Sequence, residues 1–234
     1  MKNPRRIVLT DEMIAKHNFC TDPPPPDSLF WGMWNSCTEI AQQVLQTPFI
    51  QRINSGTLDP VVYGGFNVND AYYCFSGAPD YQAAAQRTSD PTLKQFLLAK
   101  YNSYQKYNLT FPQIWHVQDA TSLVPFEVCL QYSQYETEVA AKADPIYCLI
   151  VMLPCEYLWA WLGDQLSPPS PQNLYAPWVT ANNDPSGAYA IGNFLGAYQQ
   201  ARPGVINQTK AIQIYTQAMA YELQNFAAAM TSIE

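Results

Sequence analysis

Three groups of residues in this chain carry chemistry that helical spacing can bring together. Asp70 and Tyr73 are three residues apart, which puts them on one face of a helix. Cys155 and Trp159 are four apart and likewise adjacent. Glu222 stands in Tyr221-Glu222-Leu-Gln-Asn-Phe226, on a stretch otherwise lined with alanine. A carboxylate, an aromatic wall and a thiol in one pocket would suit a flat, nitrogen-rich ring. The same spacings also describe core aromatics beside surface acids, and spacing alone leaves that alternative open.

Cys155 belongs to the most unusual stretch of the sequence, Asp144 to Leu166, an apolar helical pattern interrupted by Leu153-Pro154-Cys155. Asp144 and Pro145 suit an N-cap and a first helical residue, where proline's missing N–H costs nothing. Pro154 in mid-helix would remove a backbone bond and press on the preceding turn, at about 3 kcal/mol or more. Strain placed directly before a thiol points toward function. The plain alternative is an inert buried cysteine behind a proline kink.

These residues must be positioned by helices. Asp59-Pro60, Asp90-Pro91, Asp144-Pro145 and Asp184-Pro185 each precede or open a helical pattern. From Ser28, apolar residues through Val44 keep the spacing of three and four. Pro48 opens a short helix to Asn54, closed by Ser55-Gly56. Further helices are expected over 60–87, 91–108, 121–141, 145–166, 186–201 and 204–231. The prolines at 168, 169 and 171 mark a loop running into Tyr175-Ala-Pro-Trp178, and residues 182–187 mark another. Residues 1–26, ending in Pro23 to Pro26, read as an extended lead-in outside the core. The expectation is a single all-α domain over 27–234.

Composition narrows the function classes. The chain of 234 residues is 48% hydrophobic and only 13% charged, as for a globular domain with a large buried fraction. A net charge of -7 without basic clusters argues against nucleic acid or an anionic membrane as partner. The longest apolar stretch is broken by Pro154 and Glu156, so no membrane span is expected. No signal sequence is expected either, since the basic residues near the start precede no apolar core. Six cysteines without a Cys-x-x-Cys pair read as free thiols in a reducing compartment, hence a cytoplasmic protein. Asn108-Leu-Thr and Asn207-Gln-Thr match the glycosylation pattern by chance on this reading.

Metal and cofactor chemistry find little support, and neither is expected. His17 and His116 lie in different contexts, and no Glu-x-x-His pair exists for a di-iron bundle. His116 reads as a loop residue facing solvent or capped, not as a haem ligand. No phosphate-binding glycine loop, nucleophile elbow or dinucleotide fingerprint appears.

Five fragments in order resemble the TenA/thiaminase II family. They are Thr47-Pro-Phe-Ile with Gly56-Thr-Leu58, Asn69-Asp70-Ala-Tyr72-Tyr73, Leu153-Pro-Cys155 with Leu162-Gly-Asp164, Leu174-Tyr175-x-x-Trp178, and Tyr221-Glu222-x-x-x-Phe226. The resemblance spans nearly the whole chain from Ser28 to Met230. It implies the heme-oxygenase-like all-helical bundle and a homo-oligomer, often a tetramer in that family. It further implies Cys155 as nucleophile, Glu222 as acid/base and Asp70 gripping a pyrimidine, with Tyr73 and Tyr132 in the pocket. The implied reaction is cleavage of the carbon–nitrogen bond at the methylene of an aminopyrimidine, in thiamin or one of its breakdown products.

Two positions depart from the family pattern: Trp159 and Asn182 stand where it has tyrosines. The acceptor is therefore open between water and another nucleophile, such as an amine or thiol in a thiaminase I-type base exchange. A thiamin- or pyrimidine-binding protein that has lost turnover is the alternative from another class. Oxygen chemistry on haem or two irons follows from fold analogy alone and lacks the ligands.

Overall fold

The four aspartate–proline pairs do the work of capping. In a computed structural model, which describes residues 20–231, each of these aspartates accepts backbone N–H groups at a helix start. Asp59 accepts from Val61 at 2.7 Å, and Asp90 from Thr92 and Leu93 at 2.9 and 3.2 Å. Asp144 accepts from Ile146 at 3.2 Å, and Asp184 from Ser186 at 2.9 Å. These bonds satisfy donors that the first helical turn leaves free.

The first helices are α1 (Leu29–Asn35), α2 (Thr38–Leu45), α3 (Pro48–Ser55), α4 (Pro60–Arg87) and α5 (Pro91–Asn108). The short α6 (Thr110–Ile114), one 3-10 turn and α7 (Glu127–Lys142) follow. The chain continues through α8 (Ile146–Val151), α9 (Leu153–Gln165), α10 (Ala176–Asn182), α11 (Ser186–Ala201) and α12 (Gln208–Ala228). No strand occurs among the described residues, so the all-α expectation holds. Helix α4 packs along α5 and α7, while α12 runs against α2, α7, α8 and α9. Helix α9 is covered by α10 and α11.

Several expectations need correction. The pattern over 145–166 is two helices: the chain breaks at Met152, and Pro154 falls in the first turn of α9. There its missing N–H has no intrahelical acceptor to forgo, so the inferred mid-helix strain is absent. The run from Ser28 to Val44 is likewise interrupted at Ser36 and Cys37. Helix α7 starts at Glu127 rather than near 121, and Tyr175-Ala-Pro-Trp178, after the proline loop, opens helix α10, which is not among the expected helices. Pro24, expected outside the core, is buried; its carbonyl accepts from the Trp31 indole at 2.8 Å. The remaining lead-in, residues 1–19, lies outside the described residues, as does His17.

The segment Ile146–Gln165 is long and apolar enough by composition to cross a membrane, contrary to expectation, but most of it is buried inside the bundle. The six cysteines are all free thiols. Both glycosylation-pattern asparagines have structural partners. Asn108 is buried and donates to the Cys74 carbonyl, and Asn207 caps α12 by accepting from Lys210.

Two of the aromatic clusters matter for the site. Phe30, Trp31, Trp34, Tyr157 and Tyr189 meet mostly edge to face where α1, α9 and α11 join. These are core contacts. The second cluster surrounds a cavity.

Candidate active site

A cavity of about 610 Å³ opens between α4, α5, α6, α9 and α10. Helix α4 presents Tyr63, Asn67, Asp70 and Cys74 to it, a stripe at steps of four, three and four. Helix α5 presents Lys100, Ser103, Tyr104 and Tyr107, again one face. Cys155, Glu156 and Trp159 come from α9, and Trp178 and Asn182 from α10. Asp70, Cys155, Trp159 and Asn182, all expected in a pocket from the sequence, share this one.

Glu222, Tyr73 and Tyr132 are placed differently: they form a buried layer behind the wall. The Trp159 indole Nε1 donates to Glu222 Oε2 at 3.3 Å, and the Glu222 side chain is only 2% exposed. The Tyr73 hydroxyl donates to Glu136 Oε1 at 2.6 Å. The Tyr73 and Tyr132 rings lie 5.0 Å apart, and Tyr132 stacks on Tyr221 at 5.5 Å. The Tyr132 hydroxyl lowers the pKa of both Glu222 and Glu136 but meets no partner in hydrogen-bond geometry.

The electrostatics of this layer are dominated by burial, with no compensating cation among the described residues. Desolvation pushes Glu222 up to about 8, while the Trp159 and Tyr132 groups pull it down. Desolvation also raises Asp70 to about 7, partly offset by the Cys74 thiol donating to its Oδ1 at 3.8 Å. Burial raises the Cys155 thiol well above its usual value, and the charges of Glu222, Asp70 and Glu136 raise it further. The Tyr73 hydroxyl lowers it, without reversing the direction. Cys155 is therefore a protonated thiol at neutral pH that must surrender its proton to react. Glu222 and Asp70 titrate in the range where an acid/base can both take and return one.

Sequence reasoning missed Glu136 and the pair formed by Lys100 and Glu156. Glu136 is fully buried, its Oε2 has no hydrogen-bond partner, and desolvation pushes its carboxyl well above the usual carboxylate range. Its place four residues after Tyr132 on α7 was the available signal. Lys100 Nζ reaches both carboxylate oxygens of Glu156, at 2.5 and 2.6 Å. Nothing local in the sequence links residues on α5 and α9.

The fragments that carried the resemblance meet in space. Asn69 Nδ2 donates to Asn225 Oδ1 at 3.0 Å, and Asn69 Oδ1 accepts from the Phe126 N–H at 2.9 Å, fixing α4 against α12 beside Asp70. The Tyr175 hydroxyl donates to the Leu58 carbonyl at 2.5 Å, joining two further fragments. Trp159 lies 5.4 Å from Phe226 and 5.7 Å from Trp178, ring to ring. Asn182 donates to the Trp178 carbonyl on its own helix. Gly163 admits α10 closely: a Cβ there would lie 2.6 Å from the Asn183 nitrogen.

Among the described residues no group of three or more metal-ligating side chains occurs. His116 is exposed, in the left-handed region at φ 57°, as expected of a loop residue.

No protein-family model matches the chain, and no curated protein matches it in sequence. Solved structures do. A TenA family transcription regulator from Silicibacter sp. TM1040 superposes with a TM-score of 0.77 at 14% identity, covering 88% of this chain and 98% of that one. A TenA homologue from P. horikoshii OT3 gives 0.74 at 16% identity, covering 87% and 99%. A putative TenA-like thiaminase from Sulfolobus solfataricus P2 gives 0.67 at 14% identity, covering 86% and 95%. The chain has the fold of these proteins over nearly its whole described length.

Proposed function

We propose that this chain is a thiaminase-type enzyme of the TenA family, cleaving the carbon–nitrogen bond at the methylene of an aminopyrimidine. Its substrate would be thiamin or a breakdown product of it. The observation that carries the reading is the shared cavity: Cys155 and Asp70 line one wall system, with Glu222 one indole behind it.

In this mechanism Asp70 holds the amino group and ring nitrogen of the pyrimidine. The Cys155 sulfur forms a bond to an electron-poor ring carbon while its proton passes to the Glu222 carboxylate. Electrons of the adduct then expel the substituent at the methylene, breaking the carbon–nitrogen bond. Water, or another nucleophile, adds at that methylene, and water gives up one proton to solvent as its oxygen bonds to carbon. The ring regains aromaticity by expelling sulfur, which recovers its proton from Glu222. Tyr73 and Tyr132 would orient the thiol and the acid from behind, and Trp159 and Asn182 would line the ring pocket.

A second reading, a pyrimidine-binding protein without turnover, is favoured by one observation. Trp159 donates to Glu222 and stands between that acid and the cavity. Purified protein incubated with thiamin, with aminomethylpyrimidine, and with thiamin plus pyridine separates the alternatives by mass spectrometry of the products. Hydroxymethylpyrimidine marks water as acceptor, and a pyridine adduct marks base exchange. Substrate protection of Cys155 from labelling without any product would support the binder and sink the enzyme.

The working form proposed is a cytoplasmic homo-oligomer. Exposed Leu109, Ile114 and Val124 offer apolar surface for assembly. Light scattering that gives the mass of a single chain would contradict this.

A further inference from the structure

The Lys100–Glu156 pair has no part in the mechanism above, yet it lines the same cavity as Cys155. It is nearly closed off, with side chains 13% and 14% exposed. The Tyr81 hydroxyl reaches Glu156 Oε1 from behind at 3.4 Å. The fold keeps space for this carboxylate: a Cβ on Gly187 would lie 2.8 Å from Glu156 Oε2. A buried ion pair is seldom the most stabilising way to fill such a place, so its retention at a cavity wall points to recognition.

Its position along the cavity follows from helix geometry. Asn108, next to Tyr107, donates to the Cys74 carbonyl at 3.2 Å, and the Cys74 thiol donates to Asp70, so Tyr107 marks the Asp70 end of α5. Lys100 is seven residues earlier on the same face, about 10 Å away along the axis. Cys155 adjoins Glu156 in sequence and lines the same cavity as Asp70. The cavity thus has an acid at one end and an ion pair at the other, with the thiol on its wall. One six-membered ring fills only the Asp70 half of such a span.

We infer that Lys100 and Glu156 form a second recognition point, which binds a hydroxyl or amide on the part of the substrate beyond the methylene. An ammonium and a carboxylate held side by side offer one donor and one acceptor, the match for a neutral group that both accepts and donates. The preferred substrate class is then an aminopyrimidine carrying a polar substituent across the methylene, rather than the bare aminomethyl compound. The inference rests on the functional reading above and refines its substrate.

The test uses three probes: thiamin, its analogue with ethyl in place of the hydroxyethyl arm, and aminomethylpyrimidine. Their Kd values are measured on Cys155→Ala protein, so that no turnover intervenes, with and without Lys100→Met/Glu156→Gln. The double substitution removes both charges and leaves neither partner stranded; circular dichroism checks its fold. The expected result is about tenfold weaker thiamin binding, roughly the loss of one charge-assisted hydrogen bond. Binding of aminomethylpyrimidine and of the ethyl analogue should stay within about twofold. Equal losses for all three probes would make the pair a structural support, and unchanged thiamin binding would remove it from the site. Either result overturns the inference alone. Failure of the parent protein to bind any probe would overturn the functional reading and this refinement together.

Discussion

The two ends of the cavity hold the same kind of side chain under opposite conditions. At one end Asp70 lines the wall, with Glu222 and Glu136 in the buried layer behind it; among the described residues no cation pairs with these acids, and burial drives all three toward the protonated form. At the other end Glu156, beside Cys155 in sequence, is gripped through both oxygens by Lys100. A buried acid without a cationic partner can exchange protons near neutral pH, whereas an acid held by an ammonium stays charged, as the proposed recognition role requires. Placement relative to one lysine, not residue type, separates the roles.

Removing the thiol should break the first end most completely. Cys155→Ala is expected to lower turnover by about a thousandfold or more. Its melting temperature should stay near that of the parent, because little volume is lost. Retained turnover would move the nucleophile elsewhere.

Glu222→Gln keeps the shape and the Trp159 contact but cannot take a proton. A hundredfold or so lower kcat with KM nearly unchanged is expected. The parent's activity should rise as pH passes through about 8, where Glu222 ionises, and this limb should vanish in the variant. A limb that persists would assign that titration to another group.

Stability sharpens the same contrast. Asp70 and Glu222 have folded pKa values of about 7 and about 8, above their ordinary 3.8 and 4.5. The folded chain therefore binds protons that the unfolded chain has released, so stability should fall as pH rises from about 4 to about 8. Asp70→Asn with Glu222→Gln should flatten that slope in denaturant titrations. A slope of opposite sign in the parent would contradict the unpaired-acid picture.

The smallest effect expected is at the wall itself. Gly163→Ala puts a methyl against the Asn182–Asn183 backbone, so α10 must shift. Destabilisation of about 1–3 kcal/mol is expected from such overpacking, with a weaker Kd for the pyrimidine. An unchanged melting temperature would show that α10 gives way freely.

What the sequence disclosed was local. Aspartate–proline caps and three-four spacing gave 60–87 and 91–108 with the bounds observed, because caps and periodicity act within one helix. The break at Met152 was hidden, since apolar residues run through it without a change of period. Asp70 and Cys155 were legible from residue type and from the resemblance. That Glu222 lies behind Trp159 rather than in the wall was not, because it depends on how α12 rests on α9. The Lys100–Glu156 pair joins residues 56 apart across two helices, and no local pattern announces such a contact.

The most direct measurement is intact-mass and peptide mapping of the protein after acid quench during turnover of thiamin. The expected result is a pyrimidinylmethyl group attached to the peptide holding Cys155, absent from Cys155→Ala. Thiamin cleaved at the parent rate by Cys155→Ala, or an adduct mapped to any other residue, would contradict the central claim.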